Sequence, residues 1–116
     1  MKLAYVAGPY RAPTESGVVA NIRAAEAVAI ELWKMGYAVI CPHMNTALMG
    51  GVCPDDVWLK GDLVMLRRCD LVVTVPGWSA SMGATEEVKE ADMRGIEVFH
   101  WPVFEDELRA FATTTK

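Results

Sequence analysis

The sequence predicts an α/β protein, a three-layer sandwich in which helices cover both faces of a four- to five-stranded, mainly parallel sheet. Short apolar runs rich in β-branched residues alternate with longer segments of helical periodicity. Three of the runs end at a glycine or a proline, as buried strands do where they leave a core. Strands that alternate with helices form βαβ units, and such units build parallel sheets.

The length of the chain limits it to one domain. It has 116 residues and a mass of 12.7 kDa, so we expect a single domain over residues 1–116. With 53% apolar residues, it can form a core without disulfide bonds or a structural metal.

Charge and cysteine content exclude several classes of protein. Eleven basic and fifteen acidic residues give a formal charge of −4, and the pair Arg67-Arg68 is the largest basic cluster, so no nucleic-acid polymer is expected as a partner. Three cysteines without a CxxC pair indicate reduced thiols in a cytosolic protein. No apolar run approaches the roughly 20 residues of a membrane span. We therefore expect a soluble cytoplasmic protein with no membrane partner.

In the first half of the chain, the pattern predicts two strands and two helices. The strands cover 2–7 and 37–41, where Gly8 and Pro42 end them. The first helix covers 17–35, because apolar residues from Val18 to Trp33 recur at helical spacing and Gly36 follows as a stop. Residues 42–54 have the composition of a loop, and a second helix covers 55–68.

The second half continues the alternation. Strands are predicted at 71–75 and 96–100, with helices at 83–94 and 104–111. In such sheets, ligands bind outside the carboxyl ends of the strands, where the strand order reverses. The candidate binding segments are therefore 8–13, 42–54 and 76–83.

Asp62 breaks the apolar pattern of its helix. Its neighbours one turn away are apolar: Trp58, Leu59, Met65 and Leu66. A carboxylate in such surroundings needs a partner or acquires a raised pKa. Asp62 is thus either a site residue or an acid that caps a loop or pairs with an arginine.

A second carboxylate comes from the helix that starts near Gly83. On the helical wheel, Glu87 lies on the inward face with Ala84 and Ala91, whereas Glu86 points outward. The helix dipole favours the ionised form near a helix N-terminus, which suits a nucleophile. The alternative is an acidic residue that only complements the dipole. Two carboxyl groups in different environments are typical of glycosidic bond cleavage.

Phosphate contacts are a hypothesis for two of the turns. Ser79 and Ser81 precede the helix at 83–94, and their hydroxyls can hold a phosphate; a helix-capping serine is the alternative. Gly8 and Arg11 lie at the neighbouring strand end. The fingerprints GxGxxG and GxxxxGK[ST] are absent from the sequence, so no dinucleotide cofactor is expected.

His43 and Trp78 are weaker candidates. His43 can titrate near neutrality, but its spacing from Cys41 and Cys53 matches no standard zinc pattern, so no metal is predicted. Trp78 lies in a candidate turn, where it either stacks on a base or packs against the protein.

These residues resemble the nucleoside 2-deoxyribosyltransferase superfamily, over about residues 2 to 101. The similarity rests on residues 5–11 (YVAGPYR), on the Asp62 helix and on residues 79–87 (SASMGATEE) with Ala91. The branch most similar is that of the 2'-deoxynucleoside 5'-monophosphate N-glycosidases and related small phage and bacterial proteins. Pro9 departs from the family, which has a serine there.

The resemblance implies roles for particular residues. Glu87 would be the nucleophile, Asp62 the second acid, and Tyr5 the residue that orients Glu87. The implied substrate and phosphate contacts come from the turns and from the segment after the second strand: Gly8, Pro9, Tyr10, Arg11, His43, Trp78, Ser79, Ser81 and Gly83.

The resemblance also implies an activity and an assembly. The expected substrate is a small molecule, a nucleoside or its 5'-monophosphate, whose N-glycosidic bond is hydrolysed or transferred without a cofactor. The family forms homodimers or higher homo-oligomers. A nucleotide-binding module without chemistry, or a structural protein, remains the alternative.

Overall fold

The described residues form a four-stranded parallel sheet between two layers of helices. A computed structural model describes residues 1–103 and 105–114. The strands are β1 (Leu3–Ala7), β2 (Ala38–Ile40), β3 (Leu71–Thr74) and β4 (Glu97–His100), and they lie in the order β2-β1-β3-β4. All three strand pairs are parallel. The predicted α/β architecture, of the Rossmann or flavodoxin type, is therefore confirmed.

The described residues also form five α-helices, four between strands and one after β4. Their bounds are α1 (Glu15–Met35), α2 (Pro42–Asn45), α3 (Asp55–Leu66), α4 (Met82–Met93) and α5 (Glu105–Phe111), with a 3₁₀ turn at Trp78–Ala80 before α4. None of the helices within the described part of the chain is both long and apolar enough to cross a bilayer.

Side chains of β1 alternate between two cores, one on each face of the sheet. Ala4 and Val6 face the side of α1 and α5, in the cluster that includes Leu32 and Leu108. Tyr5 and Ala7 face the opposite side and pack with Leu66 of α3 and Ala91 of α4. This period of two fixes which residues of β1 can reach the α4 side.

The structure corrects the sequence prediction in two details. The segment predicted as a loop from 42 to 54 begins with the short helix α2, because Pro42 is well suited to a first helical turn. Trp33 does not belong to the buried stripe of α1: it is 55% exposed, while Val28 and Leu32 are buried. The predicted start of the last helix at position 104 lies outside the described residues.

The turns after β1 and β3 lie against each other. In the order β2-β1-β3-β4, the chain reverses direction across the sheet between β1 and β3, so a crevice is expected between these two strand ends. Gly8 lies so close to β3 that an added Cβ would be 2.6 Å from the Cβ of Val75, and one on Gly77 would be 3.6 Å from Pro9. Gly8 therefore permits the two turns to meet.

Replacing Gly8 with alanine is expected to destabilise the protein by about 1–3 kcal/mol, because the backbone of one turn must move away from Val75. Urea denaturation measures the change. Gly61→Ala is the matched control: a Cβ there meets nothing within 4 Å, so the same substitution within α3 should stabilise by about 0.5–1 kcal/mol. A Gly8→Ala protein as stable as the parent would contradict the close packing of the turns.

Candidate active site

A buried hydrogen bond joins the sheet to α4. The hydroxyl of Tyr5 donates to Oε2 of Glu87, across the interface between β1 and α4. The tyrosine is fully buried and Glu87 is 9% exposed. Because Tyr5 is anchored in the central part of the sheet, its hydroxyl fixes the position of this carboxyl group.

Burial dominates the ionisation of Glu87. The pKa of Glu87 is raised to about 8. Desolvation by burial is the largest cause, the hydrogen bond from Tyr5 lowers the pKa, and the nearby charge of Asp62 raises it. In the free protein, desolvation therefore outweighs the preference for the ionised form that is expected from the helix dipole. Glu87 is the sixth residue of α4, beyond the first turn in which the dipole acts strongly, and desolvation outweighs it.

Asp62 is the second carboxyl group of the cluster. It is half-buried on α3, and desolvation raises its pKa to about 6. Its charge also raises the pKa values of Glu87 and Tyr5, which shows that the three groups interact. The structure thus brings together Tyr5, Asp62 and Glu87, which come from β1, α3 and α4.

An ion-pair network links the two helices that carry the carboxyl groups. Nε of Arg67, at the end of α3, and Nε of Arg94, at the end of α4, each lie 2.8 Å from Oε2 of Glu90. The network spans the α3–α4 contact at the ends of the two helices.

Side chains from two helices hold the turn after β1. Nε2 of His43 lies 2.8 Å from the carbonyl oxygen of Pro9, and Nδ2 of Asn21 donates to the carbonyl of Tyr10 at 3.0 Å. His43 is buried, and Tyr10 packs edge-on against its ring at 5.8 Å. Burial lowers the pKa of His43, so the imidazole is neutral near pH 7.

The two nitrogens of His43 have different roles. A carbonyl oxygen only accepts, so Nε2 must carry the proton and donate it to Pro9. In the neutral ring, Nδ1 is then an acceptor, and it is buried without a hydrogen-bond partner among the described residues. An unsatisfied buried acceptor is uncommon in proteins and calls for an explanation.

Arg11 is not free at the crevice. Its guanidinium forms an ion pair with the carboxylate of Asp55, the first residue of α3, although both side chains are largely exposed. This contact ties the turn after β1 to the start of the helix that carries Asp62.

The candidate phosphate contacts at the start of α4 differ in their surroundings. Ser81 caps α4, because its hydroxyl accepts from the backbone N–H of Ala84 at 3.2 Å. Ser79 is exposed within the 3₁₀ turn. Gly83 lies in the first turn of α4, and an added Cβ would be 3.9 Å from Leu59 of α3.

Trp78 packs against the protein. Its indole stacks on the ring of His100 with 5.0 Å between centroids and 3° between planes, and Nδ1 of His100 lies 2.7 Å from the hydroxyl of Thr74. His100 thereby covers one face of the half-buried indole, as the packing alternative predicts.

Two cavities in the described part of the chain lie away from the carboxyl pair. One of about 340 Å³ is next to β2 and is lined by residues such as Trp33, Cys41 and Met44. The other, of about 480 Å³, follows β4 from Trp78 and His100 to Asp92. Neither is lined by Glu87 or Asp62.

Sequence reasoning did not identify two residues that shape the site. Asp55 is the first residue of the helix predicted at 55–68, and the structure shows that it is also the partner of Arg11. Asn21 holds the turn after β1 from within α1. A polar residue among the apolar positions of α1 was the available signal for Asn21, whereas the pairing of Asp55 depends on tertiary structure.

The raised pKa of Glu87 predicts that stability falls as pH rises. The folded protein binds this proton up to about pH 8, whereas an unfolded glutamate loses it near pH 4.5. Unfolding free energy should therefore decrease between these values, and Glu87→Gln should reduce the decrease by at least about 1 kcal/mol. Urea denaturation at pH 5 and pH 8 measures this decrease in unfolding free energy for each protein. Glu86→Gln, at an exposed position beside Lys89, should leave the slope unchanged; equal slopes in all three proteins would refute the buried protonated state.

Comparison with known proteins places the chain in a family. No curated protein matches the sequence closely enough to count as a relative. A protein-family profile, DUF4406, described as a domain of unknown function, matches residues 2–100. The match includes all four strands and the three residues of the carboxyl cluster. The chain therefore belongs to the DUF4406 family.

Proposed function

We propose that the protein cleaves the N-glycosidic bond of a (2'-deoxy)nucleoside or its 5'-monophosphate, as an N-glycosidase or a deoxyribosyltransferase. The supporting observation is the cluster of Tyr5, Glu87 and Asp62, in which a buried phenol holds one carboxyl group within electrostatic reach of a second. The cluster lies beside the strand-order reversal, where α/β proteins bind ligands. The resemblance of these residues to the nucleoside 2-deoxyribosyltransferases supports the same chemistry.

In the proposed reaction, one acid is the nucleophile and the other is the proton donor. The carboxylate of Glu87 attacks C1' of the sugar, and the electrons of the C–N bond pass to the base nitrogen, which takes a proton from Asp62. Water or a second base then displaces Glu87 from C1', and the Asp62 carboxylate takes the proton that the water or the base releases. Tyr5 keeps the attacking oxygen in place throughout.

The proton content of the pair supports this scheme. The pKa values of about 6 for Asp62 and about 8 for Glu87 give the two groups together about one proton near pH 7. The reaction needs one acid and one carboxylate, which is the same total. Substrate binding has to place the proton on Asp62, and positive charge that develops on the sugar stabilises the anionic form of Glu87.

A second candidate is a nucleotide-binding module that performs no chemistry. The observation that favours it is the raised pKa of Glu87, because a protonated carboxyl group is not a nucleophile. This candidate predicts saturable binding of a nucleoside or nucleotide, measured by calorimetry, with no free base released.

Glu87→Gln is expected to lower the rate of base release by a factor of about 10³ or more, because it removes the nucleophile while preserving the shape of the side chain. Chromatography of a panel of nucleosides and monophosphates, with and without an acceptor base, measures the rate. Glu86→Gln is the control one residue away and should keep the parent rate. If Glu87→Gln releases base as fast as the parent, Glu87 is not the nucleophile.

The rate should pass through a maximum between about pH 6 and pH 8. Below this range both carboxyl groups are protonated and the nucleophile is lost; above it both are ionised and the acid is lost. The profile of kcat/KM measures both limbs. Asp62→Asn should remove the limb that depends on the second carboxyl group and leave a profile with a single titration. A parent rate that is flat from pH 5 to pH 9 would contradict the two-carboxyl mechanism.

A further inference from the structure

We infer that the unpaired edge of β4 is a docking site for an extended, basic segment of a partner protein, which adds to the sheet as a fifth strand. Docking there does not require the proposed reaction, because the edge and the cavity along it lie away from the carboxyl pair. The backbone groups of β4, the cavity beside them and the charge of that cavity each favour such a partner.

β4 is an outer strand of the sheet, with one unpaired edge among the described residues. Sheets of the flavodoxin type continue in the order 2-1-3-4-5, with a fifth strand beyond the fourth. Here the chain passes from β4 to α5, which packs on the α1 side of the sheet through Leu108 and Phe111. The described part of the chain therefore leaves the position beyond β4 open, and unpaired strand edges readily pair with other chains.

The direction of the backbone groups of β4 follows from one hydrogen bond just after the strand. Trp101 donates its N–H to the carbonyl oxygen of Thr74 in β3, at 3.1 Å. Along a strand, alternate residues direct their backbone groups to the same neighbour. Phe99 therefore faces β3 as Trp101 does, whereas the N–H and C=O groups of Val98 and His100 are directed to the unpaired edge.

Internal hydrogen bonds limit the unpaired edge to a short ladder. The N–H of Ile96 donates to the carbonyl of Ala91 near the end of α4, and the carbonyl of His100 accepts from Val103. The groups still directed outward are the C=O of Ile96, the N–H and C=O of Val98, and the N–H of His100. An added strand can bond to all of them in either the parallel or the antiparallel direction.

A cavity lies where the side chains of the added strand would project. Ile96 and Val98 pack on the α4 side of the sheet, and they line the cavity of about 480 Å³ together with Val88 of α4. A residue opposite Val98 on an added strand projects to the same side. A cavity of this volume is in the range that holds whole small ligands, so an aromatic side chain at that position fits it.

The charge of the cavity favours a basic partner. Its charged lining residues are the acids Asp92 and Glu97, and no lysine or arginine of the described chain lines it. Residues two positions before and after the inserted side chain project to the same face. A lysine or arginine there lies near Asp92 at one end of the edge and near the stacked rings of Trp78 and His100 at the other. A carboxylate and an aromatic ring both attract a cation.

A second copy of this chain fits the edge less well. Its own β4 carries Glu97 but no lysine or arginine, and each chain has a formal charge of −4. Pairing of two identical edges would bring an acidic strand to an acidic cavity. A basic segment of a different protein is therefore the occupant that the edge selects.

The test titrates the isotope-labelled protein with the capped peptide Lys-Thr-Phe-Thr-Lys and follows the backbone amide signals by NMR. The peptide reads the same in both directions, so it serves parallel and antiparallel docking alike, with its phenylalanine opposite Val98. We expect saturable shifts of the Val98 and His100 amides with a Kd below about 1 mM. The Phe99 amide, which faces β3, should shift less. The control peptide Glu-Thr-Phe-Thr-Glu should bind at least about tenfold more weakly.

Variants of the protein and of the peptide separate the contribution of charge from that of the main chain. Asp92→Asn, at an exposed position, should weaken binding of the basic peptide about threefold or more. Asp106→Asn removes the same charge from α5 on the other face of the sheet and should leave the Kd unchanged. N-methylation of the phenylalanine blocks antiparallel pairing, and N-methylation of both threonines blocks parallel pairing. At least one of these peptides should bind about tenfold more weakly.

Several outcomes would overturn the inference. One is the absence of saturable shifts at the Val98 and His100 amides, and another is equal affinity for the basic and the acidic peptide. Equal effects of Asp92→Asn and Asp106→Asn would mean that the cavity does not select the partner by charge. If both N-methylated peptides bind like the unmodified one, the peptide does not add as a strand. A dimer in sedimentation that the peptide dissociates would assign the edge to a second copy instead.

Discussion

The hydrogen bond from Tyr5 to Glu87 is the interaction on which the arrangement of the site depends. It connects a central strand to α4 through a side chain that solvent does not reach. Without it, the carboxyl group of Glu87 would be buried among apolar side chains with only the repulsive charge of Asp62 nearby, which costs far more than an exposed carboxylate does. The phenol thus stabilises the buried carboxyl group of Glu87 and determines where the carboxyl oxygens lie.

Desolvation and this bond act in opposite directions, and their balance sets the chemistry available. Burial raises the pKa of Glu87, while the phenol lowers it. Asp62 is less buried and its pKa rises less. Two acids of similar intrinsic strength thereby have different pKa values, about 6 for Asp62 and about 8 for Glu87. The pair can therefore hold a single proton near neutrality.

The sequence alone predicts the architecture because the core patterns are local. The alternating faces of β1, the glycine after α1 and the buried run of β3, in which three of four residues are β-branched, each specify an element without reference to the rest of the chain. The helical wheel likewise placed Glu87, and not Glu86, on the inward face, and the structure buries Glu87. These features depend on periods of two and 3.6 residues, which the sequence displays directly.

The parts that the sequence could not supply are those set by contacts between distant segments. The pairing of Arg11 with Asp55 joins residues 44 positions apart in the chain, and the stacking of Trp78 on His100 depends on the β3–β4 register. The raised pKa of Glu87 could not be predicted from the sequence either, because it depends on how deeply the packing of α4 on the sheet buries the side chain.

The two-residue alternation of β1 also restricts how this family can change. Tyr5 pairs with Val72 in the parallel register, and its neighbours Ala4 and Val6 face α1. A single residue inserted into or deleted from the strand ahead of Tyr5 would either shift the whole register or rotate the phenol to the wrong side of the sheet. The number of residues in this strand is therefore tied to the position of the acid that Tyr5 contacts.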